Sequence, residues 1–247
     1  MPRIFVLPDS LNGDIVSLPP DDAKRLYKVL RMHPGDSVTL FDGTDEYDTV
    51  ITALGPKSAT LKITAKINRQ DAPALEILLG QGMPKGEKLE WVVQKASELG
   101  VSAVVPVIMG RSVKRPDVTG AEKKLIRLRK IAAEAARQCG RVSVPDIPCY
   151  MDLPMFLEAA SGFGLKILFY EGAKTAGLRP LLHGLSGVEK VAVLIGPEGG
   201  LSPEEADEAE AAGFIAAGLG PRILRTETAG LAAISIIQYE LGDMGSV

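Results

Sequence analysis

Two glycine-containing loops are the parts of this chain whose residue types are best suited to chemistry. LIGPEGG (Leu194 to Gly200) ends a run of apolar residues, and LGPRILRTETAG (Leu219 to Gly230) lies about one helix further on. Loops of this composition leave backbone N–H and C=O groups unobstructed, and such groups can read an adenine edge and a ribose. The pair therefore predicts a site for a nucleotide-like cofactor.

The acidic residues around the first loop limit what that cofactor can be. Glu198 lies in the loop, and Glu204 and Glu205 follow in the first turn of a predicted helix. A helix N-terminus ordinarily attracts anions, but these carboxylates would repel a pyrophosphate. The pattern favours a cofactor that is neutral or cationic here; the alternative is a strand-to-helix turn whose glycines only relieve backbone strain.

Two arginines in the second loop are candidates for catalysis. Arg222 and Arg225 lie between Gly220-Pro221 and an apolar helix. An arginine in such surroundings is desolvated unless it meets a ligand or a carboxylate. We expect a ligand or Glu227 as the partner, with plain surface charges as the alternative.

Other kinds of site have little support. The sequence has no G-x-x-x-x-G-K-[ST] motif, no G-x-G-x-x-G motif after its first strand and no G-x-S-x-G motif. It has two histidines, His33 and His183, and two cysteines, Cys139 and Cys149. No metal site and no disulfide framework are predicted.

One predicted helix carries a basic face. The net charge is −3, yet residues 111 to 141 include ten basic and three acidic residues, a local charge of +7. In a helix from Ala121 to Arg141, one side is apolar and the other basic. The apolar side holds Leu125, Leu128, Ala132, Ala135 and Cys139, and the basic side holds Lys123, Arg127, Lys130, Arg137 and Arg141. Phosphate binding and a solvated surface face are the two interpretations.

The elements that must position these residues change character near residues 70 to 73. Before that point, short alternating runs between turn residues predict a small β-barrel or sandwich with one helix, Asp21 to Arg31. After it, continuous apolar runs at 75–80, 102–108, 165–170, 190–196 and 214–220 predict parallel strands buried on both faces.

Helix signals separate these strands. A helix through Leu89 and Leu99 is expected to end at Gly100, and Ser202 with Glu205 predicts a capping box. The last helix is expected from about Thr228 to Leu241, buried in the core or in a subunit contact because it is apolar on nearly all sides.

Five segments resemble a known family over most of the chain. They are KRLYKVLR (24 to 31), PKGEKLEWVVQKASELGV (84 to 101), AAEAARQCGR (132 to 141), IGPEGGLSPEE (195 to 205) and LGPRILRTETA (219 to 229). Their order and spacing resemble those of the small-subunit ribosomal RNA uridine-N3 methyltransferases, the RsmE family of the SPOUT class. The resemblance implies a PUA-like β-barrel RNA-binding domain (1–72), followed by an α/β SPOUT domain (73–247) whose parallel sheet ends in a C-terminal trefoil knot.

The resemblance also implies S-adenosyl-L-methionine as the cofactor and assigns residues to it. The cofactor-binding residues would be Leu168, Phe169, Tyr170, Glu171, Gly172, Leu194, Ile195, Gly196, Pro197, Gly199, Gly200, Leu219, Gly220, Ile223, Leu224, Arg225, Thr226 and Thr228. Arg225, or else Arg222, would stabilise negative charge developing on a uracil carbonyl oxygen, and Glu198 is the candidate proton acceptor. The sequence departs from the family pattern at Lys24 or Arg25, where a histidine is frequent, and at Leu201, where a phenylalanine is frequent.

The expected partner is 16S rRNA or the assembled small ribosomal subunit. The RNA-binding candidates are Arg25, Lys28, Arg31, Lys85, Arg111, Arg127, Lys130, Arg137 and Arg141. A homodimer is implied by the resemblance, and a cytoplasmic location without membrane association is expected because no signal sequence or long apolar run is seen. The alternatives are a SPOUT enzyme for another RNA, a nonenzymatic RNA-binding protein and, more distantly, a nucleotide-binding oxidoreductase.

Overall fold

The computed structural model describes residues 1–11, 13–67, 75–112, 118–170 and 176–245. The chain forms two compact units: Met1–Ala72 with Ala136–Val144, and Pro73–Ala135 with Pro145–Val247. The predicted boundary between 72 and 73 lies outside the described residues. The sequence did not indicate that residues 136–144 pack with the first unit, where the Arg3 guanidinium donates a 3.1 Å hydrogen bond to the carbonyl oxygen of Arg141.

The first unit is built on a five-stranded mixed sheet. Its strands are β1 (Arg3–Phe5), β2 (Ile15–Leu18), β3 (Ser37–Phe41), β4 (Glu46–Leu54) and β5 (Ala59–Ile67). They lie in the order β1-β3-β4-β5-β2, with β1 and β3 parallel and the other pairs antiparallel. Successive side chains of a strand alternate between the two faces of the sheet, so every second one enters a shared core. This core includes Ile4, Val16, Leu40, Ile51 and Leu61. The predicted β-rich unit is confirmed, and the predicted helix lies between β2 and β3.

That helical segment ends earlier than predicted. Helix α1 (Pro20–Lys24) continues as one π-helical turn (Arg25–Val29). Its end is closed by backbone hydrogen bonds of 3.0 Å from Leu30 N to Arg25 O and from Met32 N to Leu26 O. Arg31 therefore lies outside the helix, in a left-handed conformation with φ 52°, the conformation that commonly closes a helix C-terminus.

The second unit is built on a seven-stranded, fully parallel sheet. Its strands are β6 (Glu76–Gly82), β7 (Ala103–Ile108), β8 (Met151–Asp152), β9 (Leu165–Phe169), β10 (Ala176–Gly177), β11 (Lys190–Ile195) and β12 (Ile215–Gly218). They lie in the order β10-β12-β9-β11-β6-β7-β8. The five predicted strands are confirmed. The additional strands β8 and β10 have two residues each, too few to produce a pattern in the sequence.

Six helices among the described residues accompany this sheet. They are α2 (Lys88–Glu98), α3 (Val118–Cys139), α4 (Leu153–Ala159), α5 (Leu178–Leu182), α6 (Pro203–Ala211) and α7 (Thr226–Leu241). The predicted capping box is confirmed, since Ser202 and Glu205 exchange hydrogen bonds at the start of α6. Helix α7 begins two residues earlier than predicted because the Arg225 carbonyl already accepts from Thr228 N and Ala229 N, each at 2.8 Å.

The predicted apolar side of α3 and the predicted burial of α7 are confirmed in part. Leu125, Leu128, Ala132 and Ala135 are buried, whereas Cys139, assigned to the same side, is exposed. Cys139 is the last residue of α3, where no following helical turn shields its side chain from solvent. On α7 one side is buried, but Ile236 and Tyr239 are 38% and 65% exposed.

Within the described part of the chain, no helix is both long enough and apolar enough to cross a membrane. The trefoil knot implied by the resemblance stays a prediction.

Candidate active site

A cavity of about 810 Å³ lies at the carboxyl ends of three neighbouring strands of the second unit. It is lined by residues that follow β9, β11 and β12. Ligands of parallel α/β sheets bind at this edge, where the loops leave the strands. Both glycine-containing loops predicted from the sequence therefore meet at one cavity.

Most of the predicted site residues line it. They are Phe169, Tyr170, Ile195, Gly196, Pro197, Glu198, Gly199, Gly200, Leu219, Gly220, Arg222, Ile223, Leu224, Arg225 and Thr226. Three others do not: Leu168 and Leu194 are fully buried in the sheet core, and Thr228 is an exposed residue of α7. Glu171 and Gly172 lie outside the described residues.

The first loop passes so close to strand β6 that one position there must be glycine. A Cβ atom on Gly82 would strike the backbone nitrogen of Pro197 and would lie 2.7 Å from the Gly196 carbonyl carbon. Within the loop, a Cβ on Gly196 would lie 2.7 Å from the Leu201 side chain. The glycines thus allow close packing of backbone on backbone, which holds the loop in one position beneath the cavity.

A buried polar network connects this loop to the start of α7. The hydroxyl of Thr226 donates to the carbonyl oxygen of Gly196 at 2.5 Å and accepts from the Gln81 side-chain amide at 2.8 Å. Gln81 also donates to the Gly82 carbonyl at 3.2 Å. Because Gln81 and Thr226 are buried, these bonds are shielded from water and fix three chain segments relative to one another. Gln81 is not among the site residues predicted from the sequence. A polar residue directly after the apolar run LEILLG does, however, indicate a position at the end of a buried strand.

Glu198 is engaged by several donors. The backbone N–H of Lys85 donates to its two carboxylate oxygens at 3.0 and 3.2 Å, and the Lys88 ammonium lies 3.0 Å from Oε1. Burial alone would raise the pKa of Glu198, but these hydrogen bonds lower it below its ordinary value of 4.5. A carboxylate stabilised in this way is a weak base, so the geometry favours a structural role over the predicted role of proton acceptor.

The lysine beside Glu198 also contacts a second carboxylate. Lys88 lines the cavity, and its Nζ lies 3.3 Å from Oε1 of Glu227. Glu227 was expected to pair with Arg222 or Arg225, and the structure instead places Lys88 against it. The motif PKGEKLEW contains this lysine, but of its two lysines only Lys85 is a predicted site residue.

Arg111 contacts the first loop. Its guanidinium donates to the carbonyl oxygens of Gly199 at 3.0 Å and Leu201 at 3.1 Å. The backbone N–H of the neighbouring Gly110 donates to Glu205 at 2.7 Å. Arg111 was predicted to bind RNA, and these bonds indicate that it supports the loop.

Arg222 and Arg225 are both exposed at the rim of the cavity. In the single chain they therefore match the alternative of exposed charges, and Glu227, the expected partner, is paired with Lys88. Their position leaves the guanidinium groups accessible to a second substrate that approaches the cavity from solvent.

In the first unit, the basic candidates lie on and after α1. Lys28 and Arg31 are exposed, and Arg25 is half-buried. Tyr27 and Val29 beside them are 46% and 71% exposed. Aromatic and basic side chains that are exposed together are typical of surfaces that bind single-stranded nucleic acid. Two further candidates in this unit, Arg137 and Arg141, are half-buried.

In the second unit, the basic face of α3 is partly neutralised. Arg127 lies 2.7 Å from a carboxylate oxygen of Glu90 and 3.7 Å from one of Glu87, both on or beside α2. Lys130 and Lys85 have exposed side chains. Arg127 therefore also connects α3 to α2, which the helical wheel could not indicate.

Two family models match the chain. A model described as an RNA methyltransferase domain matches residues 70–238, and one described as an RNA methyltransferase PUA domain matches residues 18–64. The ribosomal RNA small subunit methyltransferase E of Bacillus subtilis is 33% identical over 230 residues, which cover 91% of this chain and 90% of that protein. The chain belongs to the RNA methyltransferase family and, within it, to the group named ribosomal RNA small subunit methyltransferase E.

Solved structures agree in fold over almost the whole length. A ribosomal RNA small subunit methyltransferase E from Neisseria gonorrhoeae, bound to S-adenosyl methionine, is 34% identical, covers 98% of this chain and 99% of its own, and has a TM-score of 0.86. A putative methyltransferase from Legionella pneumophila in complex with SAM is 33% identical, covers 98% of both chains and has a TM-score of 0.88. The fold class predicted from the sequence, a PUA-like unit before an α/β methyltransferase unit, is confirmed.

Proposed function

We propose that this protein transfers a methyl group from S-adenosyl-L-methionine to N3 of a uridine in the 16S rRNA of the small ribosomal subunit. The observation that carries the proposal is the cavity formed where the loops after β9, β11 and β12 meet. Family membership supports it, as do the names of the relatives and the S-adenosyl methionine bound to the Neisseria protein.

The cavity suits this cofactor in size and in chemistry. Its volume of about 810 Å³ is within the range of small-molecule sites, roughly 300–1,000 Å³. The backbone of residues 195–200 and 219–226 supplies hydrogen-bonding groups for an adenine and a ribose, and Phe169 and Ile195 supply apolar surface. Glu198 is the acidic residue of the described lining, and its charge is paired with the Lys88 ammonium.

The bound cofactor supplies an activated methyl group for in-line displacement, and this chain's residues orient the base that receives it. Uridine N3 loses its proton to solvent water, which reaches the cavity rim at the exposed Arg222 and Arg225. Negative charge is left on the ring and its carbonyl oxygens until the methyl group is transferred and S-adenosylhomocysteine leaves. Arg225, with Arg222 beside it, is positioned at the cavity rim to stabilise that charge. Glu198 holds the loop through Lys85 and Lys88 in place of accepting the proton.

RNA binding draws on both units. In the first unit, Lys28 and Arg31 contact phosphates and Tyr27 stacks on an unpaired base. In the second unit, Lys85 and Lys130 contact phosphates. The target uridine must leave any helix to reach the cavity, so a bulged or single-stranded segment is the substrate.

The protein is a cytoplasmic homodimer in this proposal. Ile223 at the cavity rim is 81% exposed, and Ile236 and Tyr239 on α7 are exposed as well. Exposed apolar side chains at the cavity rim and on α7 are available for a subunit contact. A ribosomal RNA substrate supports a cytoplasmic location.

Two measurements on one variant test the proposal. In R225A, methyl transfer to small-subunit RNA at saturating S-adenosyl-L-methionine should fall by roughly 100-fold, the scale for loss of one group that stabilises transition-state charge. Titration calorimetry measures separately how much cofactor affinity the variant loses. The control is R179A, because Arg179 is exposed on α5 and does not line the cavity.

Nucleoside mass spectrometry should find 3-methyluridine in the product. Transfer by R225A at the wild-type rate would remove Arg225 from the mechanism. Failure of the wild-type protein to bind S-adenosyl-L-methionine would overturn the function itself.

A further inference from the structure

Lys88 lies where three chain segments of the second unit meet. It is the first residue of α2, its Nζ lies 3.0 Å from Oε1 of Glu198 in the first loop, and the same Nζ lies 3.3 Å from Oε1 of Glu227 in the first turn of α7. Lys88 also lines the cavity. Neither methyl transfer nor RNA binding, as proposed, uses this ammonium group directly.

The two carboxylates depend on this shared cation. Glu227 is mostly buried, with a side chain 13% exposed, and its Oε2 is inaccessible to water and without a hydrogen-bond partner among the described residues. A buried carboxylate without a counter-charge is costly. Glu198 brings a second negative charge against the same ammonium, so removal of Lys88 would leave two acids facing each other.

The hydrogen bond with Glu198 is the main reason that the pKa of Lys88 rises, with partial desolvation opposing it and the bond with Glu227 adding to it. The two carboxylates therefore favour the cationic form of this side chain.

We propose that Lys88 is a positioning residue of the cofactor site, whose ammonium group sets the separation between the first loop and the start of α7. The inference rests on the proposed function, because it requires S-adenosyl-L-methionine to occupy this cavity. Both segments contribute backbone to the cavity wall, so a change in their separation alters cofactor affinity before it alters the chemical step.

The chain offers a matched control on the same helix. Lys95 pairs with Glu98 at 2.7 Å, and the two side chains are 37% and 27% exposed, against 34% and 26% for Lys88 and Glu198. The Lys95 pair lies within a single helix and does not line the cavity. A lysine that acts only as a surface ion pair should behave as Lys95 does.

The experiment compares K88M, K88R and K95M with wild type by calorimetric titration with S-adenosyl-L-methionine and by steady-state methyl transfer. For K88M we expect the cofactor Kd and KM to rise about five-fold or more, since partly exposed ion pairs are individually modest and two are lost here. The value of kcat at saturating cofactor should change less, K88R should recover most of the affinity, and K95M should match wild type.

A second variant separates charge balance from general damage to the fold. In K88M/E227Q the buried unpaired charge is removed together with the lysine, so cofactor affinity should recover in part even if K88M itself is unstable. Equal cofactor affinity in K88M and K95M would overturn the inference. A K88M/E227Q variant that binds the cofactor no more tightly than K88M would overturn it as well. If wild type itself binds no S-adenosyl-L-methionine, the proposed function fails together with the inference; if wild type binds and K88M binds equally well, only the inference fails.

Discussion

The hydroxyl of Thr226 donates a 2.5 Å hydrogen bond to the carbonyl oxygen of Gly196, while accepting one of 2.8 Å from Gln81. One side chain thus connects the first residue of α7 to the first loop and to the end of β6. Both partners use the same oxygen atom, so no apolar residue can replace it. The candidate site is therefore held by a buried polar contact as well as by packing.

Replacing this hydroxyl should weaken both folding and cofactor binding. In T226V the Gly196 carbonyl loses the Thr226 hydroxyl and the Gln81 amide keeps only its bond to Gly82, at a cost of about 1–3 kcal/mol in the free energy of unfolding. Urea denaturation measures the loss, and T226S, which retains the hydroxyl, should stay close to wild type. T228V is the control because Thr228 is exposed on the same helix. Equal stability of T226V and T228V would contradict the role given to this bond.

A methyl group on Gly82 should displace the first loop. Its Cβ would strike the Pro197 backbone, and backbone moves less readily than a side chain. We expect G82A to lose about 1–3 kcal/mol in the free energy of unfolding and to bind S-adenosyl-L-methionine more weakly. In G162A the added Cβ meets nothing within 4 Å, so this variant should retain wild-type affinity. Normal cofactor binding by G82A would show that the loop can move without consequence.

Replacing Arg31 with glycine should raise the stability of the protein and weaken its binding to RNA. Its φ of 52° costs a side-chain-bearing residue roughly 1–2 kcal/mol that glycine avoids. Glycine is more flexible in the unfolded chain, so R31G should be more stable by about 1 kcal/mol or less. The same variant should bind small-subunit RNA more weakly and with a shallower salt dependence, because a phosphate contact is lost.

The control for R31G is R31A, which removes the guanidinium and keeps the backbone strain. Filter binding at several salt concentrations and thermal unfolding provide the two measurements. RNA affinity unchanged in both variants would mean that Arg31 only closes the helix.

The low pKa of Glu198 predicts a pH dependence with a definite sign. Hydrogen bonds from Lys85 and Lys88 outweigh the effect of burial and lower this pKa below 4.5. The stabilisation from Glu198 is therefore complete above pH 4.5, the ordinary value, and is lost as the pH falls through the lower folded-state pKa. The difference in free energy of unfolding between wild type and E198Q should shrink over that interval. Carbon-13 NMR titration of the Glu198 carboxyl measures the pKa directly. A titration midpoint at or above pH 4.5 would contradict the stabilisation of this carboxylate by Lys85 and Lys88.

Patterns along the sequence predicted the elements and the loops but not the partners of long side chains. Continuous apolar runs located β6, β7, β9, β11 and β12, because a strand buried on both faces excludes polar residues. The capping residues Ser202 and Glu205 located α6, since their bonds are local. Arg111 and Lys88 were misassigned or missed because a flexible side chain selects among carbonyls and carboxylates that only the folded chain brings within reach. For the same reason, nothing in the sequence indicated that residues 136–144 pack with the first unit.

The Gln81–Thr226 hydrogen bond joins residues 145 positions apart, and this separation has a consequence for the kinetics of folding. Contacts between residues so distant in sequence require large loops to close first, and parallel sheets are slow to form for that reason. The cavity can take shape only after β6, β9, β11 and β12 have aligned and α7 has docked. During refolding, the capacity to bind S-adenosyl-L-methionine should therefore return later than helical circular dichroism, so that the cofactor reports on the last step of assembly of this unit.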